Sequence, residues 1–212
     1  LPQTNGHKRL FKQYSAQRQT NRIISGGTKR LRYCVARGYL YQEGVLKNHH
    51  EEYDPTEKTN RYNYRTNLDI DVTETTFLKL NIGGRFESRN EPNNDVSVNN
   101  IWTEILRSQH FSSPGFVDGK LVTIGNLYIP MTMRNGFHAH YGKGYRRIAD
   151  NTLNLDLALT QKLDFITKGL SVEVKGAYNT TYVGKKTRGS SVEKYMPVYL
   201  STIENPALPI DD

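Results

Sequence analysis

Arg61-Tyr62-Asn63-Tyr64-Arg65-Thr66-Asn67-Leu68-Asp69-Ile70-Asp71-Val72 alternates polar with aromatic or apolar side chains without a break. Successive side chains of a β-strand point to opposite faces, so a period of two over this length predicts a strand with one wet and one dry face. The same reading extends outward. Leu78, Leu80, Ile82, Gly84 and Phe86 alternate with Lys79, Asn81, Gly83, Arg85 and Glu87. Leu153, Leu155, Leu157 and Leu159 alternate with Asn154, Asp156, Ala158 and Thr160, and Leu170, Val172, Val174, Gly176, Tyr178 and Tyr182 with Ser171, Glu173, Lys175, Ala177, Asn179 and Thr181. Two weaker strands precede these, and in the second Arg37 shares the parity of Tyr33, Val35, Tyr39 and Tyr41. The expected strands lie near 15–25, 29–43, 61–73, 77–89, 151–162 and 169–183.

The connections alternate in length. Gly26-Gly27-Thr28, Thr73-Glu74-Thr75-Thr76 and 162–169 are short, whereas 44–60, 90–150 and 184–212 are long. An all-β, antiparallel up-and-down meander with short turns at one end and long loops at the other gives this pattern, and a transmembrane barrel has that form. Within the longest loop, Val98, Ile101, Trp102, Ile105 and Leu106 recur at helical spacing after Ser97, a residue suited to capping, so a short amphipathic helix is expected there. Loops of this length are usually functional.

Composition narrows the classes. The chain has 212 residues, 29 Lys and Arg against 21 Asp and Glu for a net charge of +8, and only 36% hydrophobic residues. A large dry core is not expected from so polar a chain. There is no apolar run of the length a membrane-crossing helix needs, but a barrel strand needs only about 9–11 residues. Cys34 is the single cysteine, which excludes an internal disulfide framework. The first residues, Leu1-Pro2-Gln3-Thr4-Asn5-Gly6, carry neither an initiator Met nor a basic, apolar and small-residue leader, so an internal or processed piece of a longer protein is expected.

Facing adds a second sign. Tyr39, Tyr41, Tyr62, Tyr64, Phe86, Tyr178 and Tyr182 all fall toward the long-loop ends of their strands, where an interfacial belt of amphipathic rings would sit. Arg61, Arg65, Asp69, Asp71, Lys79, Arg85 and Glu87 occupy the opposite parity and do not belong in a dry core unpaired. They suit a wet lumen or the solvated face of a soluble sheet, and the pattern alone does not choose.

Motifs for chemistry are weak. His49-His50-Glu51-Glu52 lacks zinc-site spacing and reads as a solvated charged loop. Phe137-His138-Ala139-His140-Tyr141, read as extended, places two imidazoles on one side, yet nothing else completes a metal or catalytic site. No nucleophile-elbow, metalloprotease or P-loop pattern occurs. No enzyme activity, metal or cofactor is expected. Basic pairs such as Lys8-Arg9, Lys29-Arg30, Arg146-Arg147 and Lys185-Lys186 are scattered over both ends of the meander, which argues against nucleic acid as a partner and suits anionic lipid at rims and loops. Asn179-Thr180-Thr181 fits a glycosylation sequon by chance within a predicted strand.

Several of these segments resemble a known family. Ile24-Ser25-Gly26-Gly27-Thr28, then Tyr33 and Gly38-Tyr39-Leu40-Tyr41-Gln42-Glu43-Gly44, are similar to the signature hairpin of the SusC/RagA family of TonB-dependent outer-membrane transporters. Arg61-Tyr62-Asn63-Tyr64-Arg65-Thr66-Asn67-Leu68-Asp69 resembles the strand that follows, and Leu163-Asp164-Phe165-Ile166-Thr167-Lys168-Gly169-Leu170-Ser171-Val172 a later periplasmic turn, in the family's order. The resemblance implies a plugged barrel of roughly 22 strands, of which residues 1–212 would supply part, with the plug domain absent. It further implies a bacterial outer-membrane location and import of an oligosaccharide or, as the second choice, a peptide. TonB would energise import through the missing plug region, a SusD-like surface lipoprotein would be the partner, and membrane lipid and the rest of the barrel would be neighbours. Lumen-facing residues would be Arg61, Arg65, Asp69, Asp71, Lys79, Arg85 and Glu87. A ligand or partner loop would carry Trp102, Phe111, Phe116, Tyr128, Phe137, His138 and His140. The alternative from a different class is a soluble all-β ligand-binding module.

Overall fold

The computed structural model describes residues 5–49, 52–93, 98–108, 113–123 and 135–195. In chain order these form α1 (Gly6–Leu10), β1 (Gln17–Gly27), β2 (Leu31–Glu43), β3 (Lys58–Asp71), β4 (Thr76–Pro92), α2 (Val98–Arg107), β5 (Gly115–Val117), β6 (Lys120–Val122), α3 (Gly136–Tyr141), β7 (Gly144–Lys162), β8 (Ser171–Gly189) and β9 (Lys194–Tyr195). The fold is all-β in its framework. Six strands make one sheet in the order β1-β2-β3-β4-β7-β8, and β5-β6-β9 make a small second sheet.

Every neighbouring pair in the large sheet is antiparallel and its register runs unbroken from end to end. Side-chain parity is therefore shared across all of its strands. One row reads Asn21, Gly38, Asn63, Arg85, Thr152, Thr181, and the adjacent row of the other face reads Arg22, Arg37, Tyr64, Gly84, Leu153, Thr180. The register settles the parity of β2: Cys34 lies on the polar face, and Arg37 on the apolar face among Tyr33, Val35 and Tyr39.

Strand ends differ from the periodic reading, mostly at the long-loop side. There β3 begins at Lys58, β4 reaches Pro92, β7 begins at Gly144 and β8 runs to Gly189. These extensions are too polar to alternate, and the backbone ladder carries them, reinforced by Arg146 Nε donating to Glu91 Oε1 at 2.6 Å. Gly144 opens β7 at φ +89°, and a Cβ there would meet the Arg188 carbonyl oxygen at 2.0 Å, so only glycine fits.

Short turns close the other end through local side-chain bonds. β1 includes Gly26 and Gly27, which the sequence placed in the turn, and Thr28 Oγ1 accepts from the amides of Arg30 and Leu31 at 3.3 and 3.2 Å. Thr73 Oγ1 accepts from Thr75 and Thr76 at 3.2 and 2.9 Å. A carboxylate does the same work in the third turn, where Asp164 Oδ1 accepts from the Gly169 amide at 2.7 Å and Gly169 stands at φ +84°.

The loops at the far end pack on one another. Leu10, Leu46, Leu121, Phe137 and Tyr141 form the buried cluster of the described residues, with Phe11, Ile105, Phe116 and Val192 against it. This cap draws on every long connection and on the segment before β1. The sheet itself buries little: Ile24 is 65% exposed and Val174 64% on its apolar face.

Candidate functional site

The polar face of the large sheet is concave. One hollow of about 1030 Å³ is lined from Asn21 on β1 through Asn63, Arg65, Arg85 and Asn154 to Asn179 on β8. Gly38 and Gly83 keep its floor low, and a Cβ on Gly38 would meet Asn21 Oδ1 at 2.9 Å. Amides, guanidiniums and the Asp156 carboxylate offer a wall of donors and acceptors to a polar occupant.

The unbroken register places Arg61, Arg65, Asp69, Asp71, Lys79, Arg85 and Glu87 on this one face. Arg61 Nε donates to Glu87 Oε2 at 2.6 Å, and Glu87 is only 7% exposed, so the pair holds a nearly buried carboxylate in place. Arg32 bridges Asp69 and Asp71 loosely, at 3.8 Å each. Arg65 and Arg85 line the hollow itself, whereas Asp69, Asp71 and Lys79 line a smaller one near the short turns.

The residues expected in a ligand or partner loop fare unequally. Phe111 and Tyr128 lie outside the described residues, as do Ser97, His50 and Glu51. Trp102 stacks on Phe11 with ring centroids 5.9 Å apart. Phe116 packs edge-on against Tyr141 at 5.3 Å, and Phe137 is 3% exposed within the cap. The segment holding the two histidines is a helix, α3, and not extended. Asn135 caps it, its Oδ1 accepting from the amides of Phe137 and His138 at 3.0 and 3.2 Å. Residues two apart on a helix point in nearly opposite directions, so His138 stays half-buried while His140 is buried at 1% exposed. The Asn135 cap was the readable signal for this helix. His49 packs beside Phe116 and Tyr141 and its Nε2 lies 2.7 Å from the Arg9 carbonyl oxygen, a structural role for one member of the His-His-Glu-Glu run.

The segment from Asp54 to Thr56 is tied to the sheet. Asn90 Nδ2 donates to the carbonyls of Asp54 and Thr56 at 2.9 and 2.8 Å. Burial alone would raise the Asp54 carboxyl, but Lys58 and the Thr56 hydroxyl and amide hold it below its usual range. Burial, with the Glu91 carboxylate, pushes Glu57 up. A second hollow of about 510 Å³ opens here, with Glu52, Asp54, Arg147 and Arg188 among its walls.

Burial pushes His140 down to about 3, against the pull of the Asp54 carboxylate. Neither ring nitrogen closes a hydrogen bond of ordinary geometry with a described residue, although the Lys47 carbonyl is near. Because the folded value lies below the ordinary 6.5, the cap has its full stability above that value and loses it as pH falls toward the folded value. The loss amounts to about 2 kcal/mol at pH 5. Trp102, the single tryptophan, reports it: denaturant midpoints read from its emission should fall from pH 7 to pH 5, and His140→Gln should flatten the trend. Equal pH dependence in the variant would show that another group is responsible.

A meander of unbroken register, polar on its concave side and apolar on its convex side, has the arrangement of a β-barrel wall. Its fold is similar to part of a chain in the structure of the RagAB peptide importer in its closed-closed state, with a TM-score of 0.57 and 18% sequence identity. The likeness covers 87% of this chain and 19% of that one, so the chain spans about a fifth of the length of the chain it matches. No family model matches the sequence, and no curated protein does.

Proposed function

We propose that this chain is part of the wall of an outer-membrane transporter that imports a bulky nutrient, and that it binds and passes its cargo without catalysing a reaction. The observation that carries this reading is the division of the large sheet into a polar concave face and an exposed apolar convex face. A soluble module would have to cover that convex face, because contiguous apolar surface of this kind is seldom left to water. Lipid covers it without further protein.

The SusC/RagA motifs and the fold likeness to a peptide importer support the same class. Of the two cargo classes, peptide has that neighbour behind it and oligosaccharide rests on the sequence resemblance. By the same resemblance TonB energises import and a surface lipoprotein works on the long-loop side, where the cap lies. Arg65, Arg85 and the asparagines of the hollow then meet a polar cargo or the plug.

Deleting 102–141 from the full reading frame tests where cargo or lipoprotein engages. Uptake or lipoprotein capture should fall while a heat-resistant barrel still assembles in the membrane fraction. Unchanged import and partner binding would make the cap a passive cover. Recovery of the intact protein in the aqueous fraction without detergent would favour the soluble module.

A further inference from the structure

Within the six strands of the large sheet, the convex face carries charge only from the row of Arg22 and Arg37, at the middle of β1 and β2, toward the long loops, and nearly all of that charge is positive. Arg22 and Arg37 stand directly opposite each other across β1 and β2, and Arg18 lies two repeats of the pleat further toward the long loops, opposite Tyr41. All three are exposed, and none forms an ion pair with a described residue. Like charges directly opposite destabilise a strand pair. The remaining cations of this face, Arg147, Lys186 and Arg188 among them, also lie at the long-loop end. Toward the short turns, the face presents Leu31, Val35, Leu68, Leu80, Leu157 and Val174 with no charge. Within the six strands its one acid is Glu43, already held by Lys12 at 3.1 Å and by the Tyr41 hydroxyl at 2.6 Å.

Depth matters as much as sign. Tyr39, Tyr62 and Phe86 form one row, with ring centroids 5.0 and 6.3 Å apart along it. Arg37 stands two residues below that row, about 5 Å deeper for a strand tilted as barrel strands are. From there a guanidinium reaches the interface by extending its stem along the apolar surface. An arginine facing lipid is tolerated near an interface far better than at the midplane.

Resting on the membrane reading above, we infer that Arg22 and Arg37, with Arg18 above them, bind the phosphate of a lipid headgroup in the leaflet on the long-loop side. Guanidiniums take phosphate oxygens in paired, charge-assisted hydrogen bonds. A phosphate between Arg22 and Arg37 turns their repulsion into a shared attraction. The tyrosines beside them supply an apolar surface with polar tips for the sugar or glycerol of the headgroup.

Lipid A with and without its phosphates is the probe, added in mixed micelles to the full-length protein purified in detergent. Wild type should retain phosphorylated lipid A, measured by mass spectrometry after washing, in preference to the dephosphorylated form. Arg22→Gln/Arg37→Gln should lower that retention roughly tenfold, while Lys175→Gln, at the short-turn end, should not. Heat-modifiable migration on gels reports whether each variant still forms a barrel, and the wild-type contrast between the two lipids needs no variant. Equal retention of both lipids, or undiminished retention by a folded double variant, overturns the inference while leaving the barrel reading intact. Recovery of wild type without detergent removes the barrel reading and the inference together.

Discussion

Leu155→Arg should block assembly into the outer membrane, and Asp156→Asn should leave it unchanged. Leu155 shares its row with Ile24, Val35, Thr66, Ile82 and Tyr178 on the convex face, below the aromatic row. An arginine on the lipid face of a barrel costs about 2–4 kcal/mol at the midplane, a large part of the roughly 5–15 kcal/mol that typically separates folded from unfolded chains. Asp156 is one residue away on the concave face, beside Asn81 and the hollow. Its neutral isostere keeps the volume and most of the hydrogen-bonding capacity in a wet site. Heat-modifiable migration of the two variants in membrane fractions checks this. Equal tolerance of both would mean that lipid does not cover the convex face.

Residues 1–212 expressed alone should not refold into a heat-resistant closed barrel. Among the described residues β1 and β8 each pair on one side only in the large sheet, so two edges of backbone amides and carbonyls stay open there. In hydrocarbon each unsatisfied group costs several kcal/mol, and the edge of β8 alone runs from Ser171 to Gly189. In water the same edges are templates for aggregation. Further strands must therefore pair with β1 and β8. A monomeric, heat-resistant barrel refolded in detergent from this chain alone would show that the sheet closes on itself.

The strands, their order and their facing were legible in the sequence because a period of two is a local property. Tyr62 to Val72 shows which residues share a face before any partner strand is known, and four such segments with alternating loop lengths are enough to predict a meander. Arg37 was the exception. Its charge contradicted its parity, and only the pairing of β2 with β1 and β3 showed that the parity held and the charge belongs to the apolar face.

The candidate site divides along the same line. Arg61, Arg65, Asp69, Asp71, Lys79, Arg85 and Glu87 could be grouped from alternation, but which of them meet depends on register, which sets Arg61 against Glu87 and Arg65 against Gly83. Of the cap, helix α2 was legible from its apolar spacing, but the packing that joins the loops was not. Its core joins Leu10, Leu46, Leu121, Phe137 and Tyr141 from four separate segments, and such contacts have no period to read. Burial there gave Phe137 and His140 a packing role that their aromatic character alone did not reveal. Local alternation thus determined the strands and their two faces, whereas the opposed arginines, the buried histidine and the depth of the hollow were decided by tertiary structure, because each arises where residues distant in sequence come together.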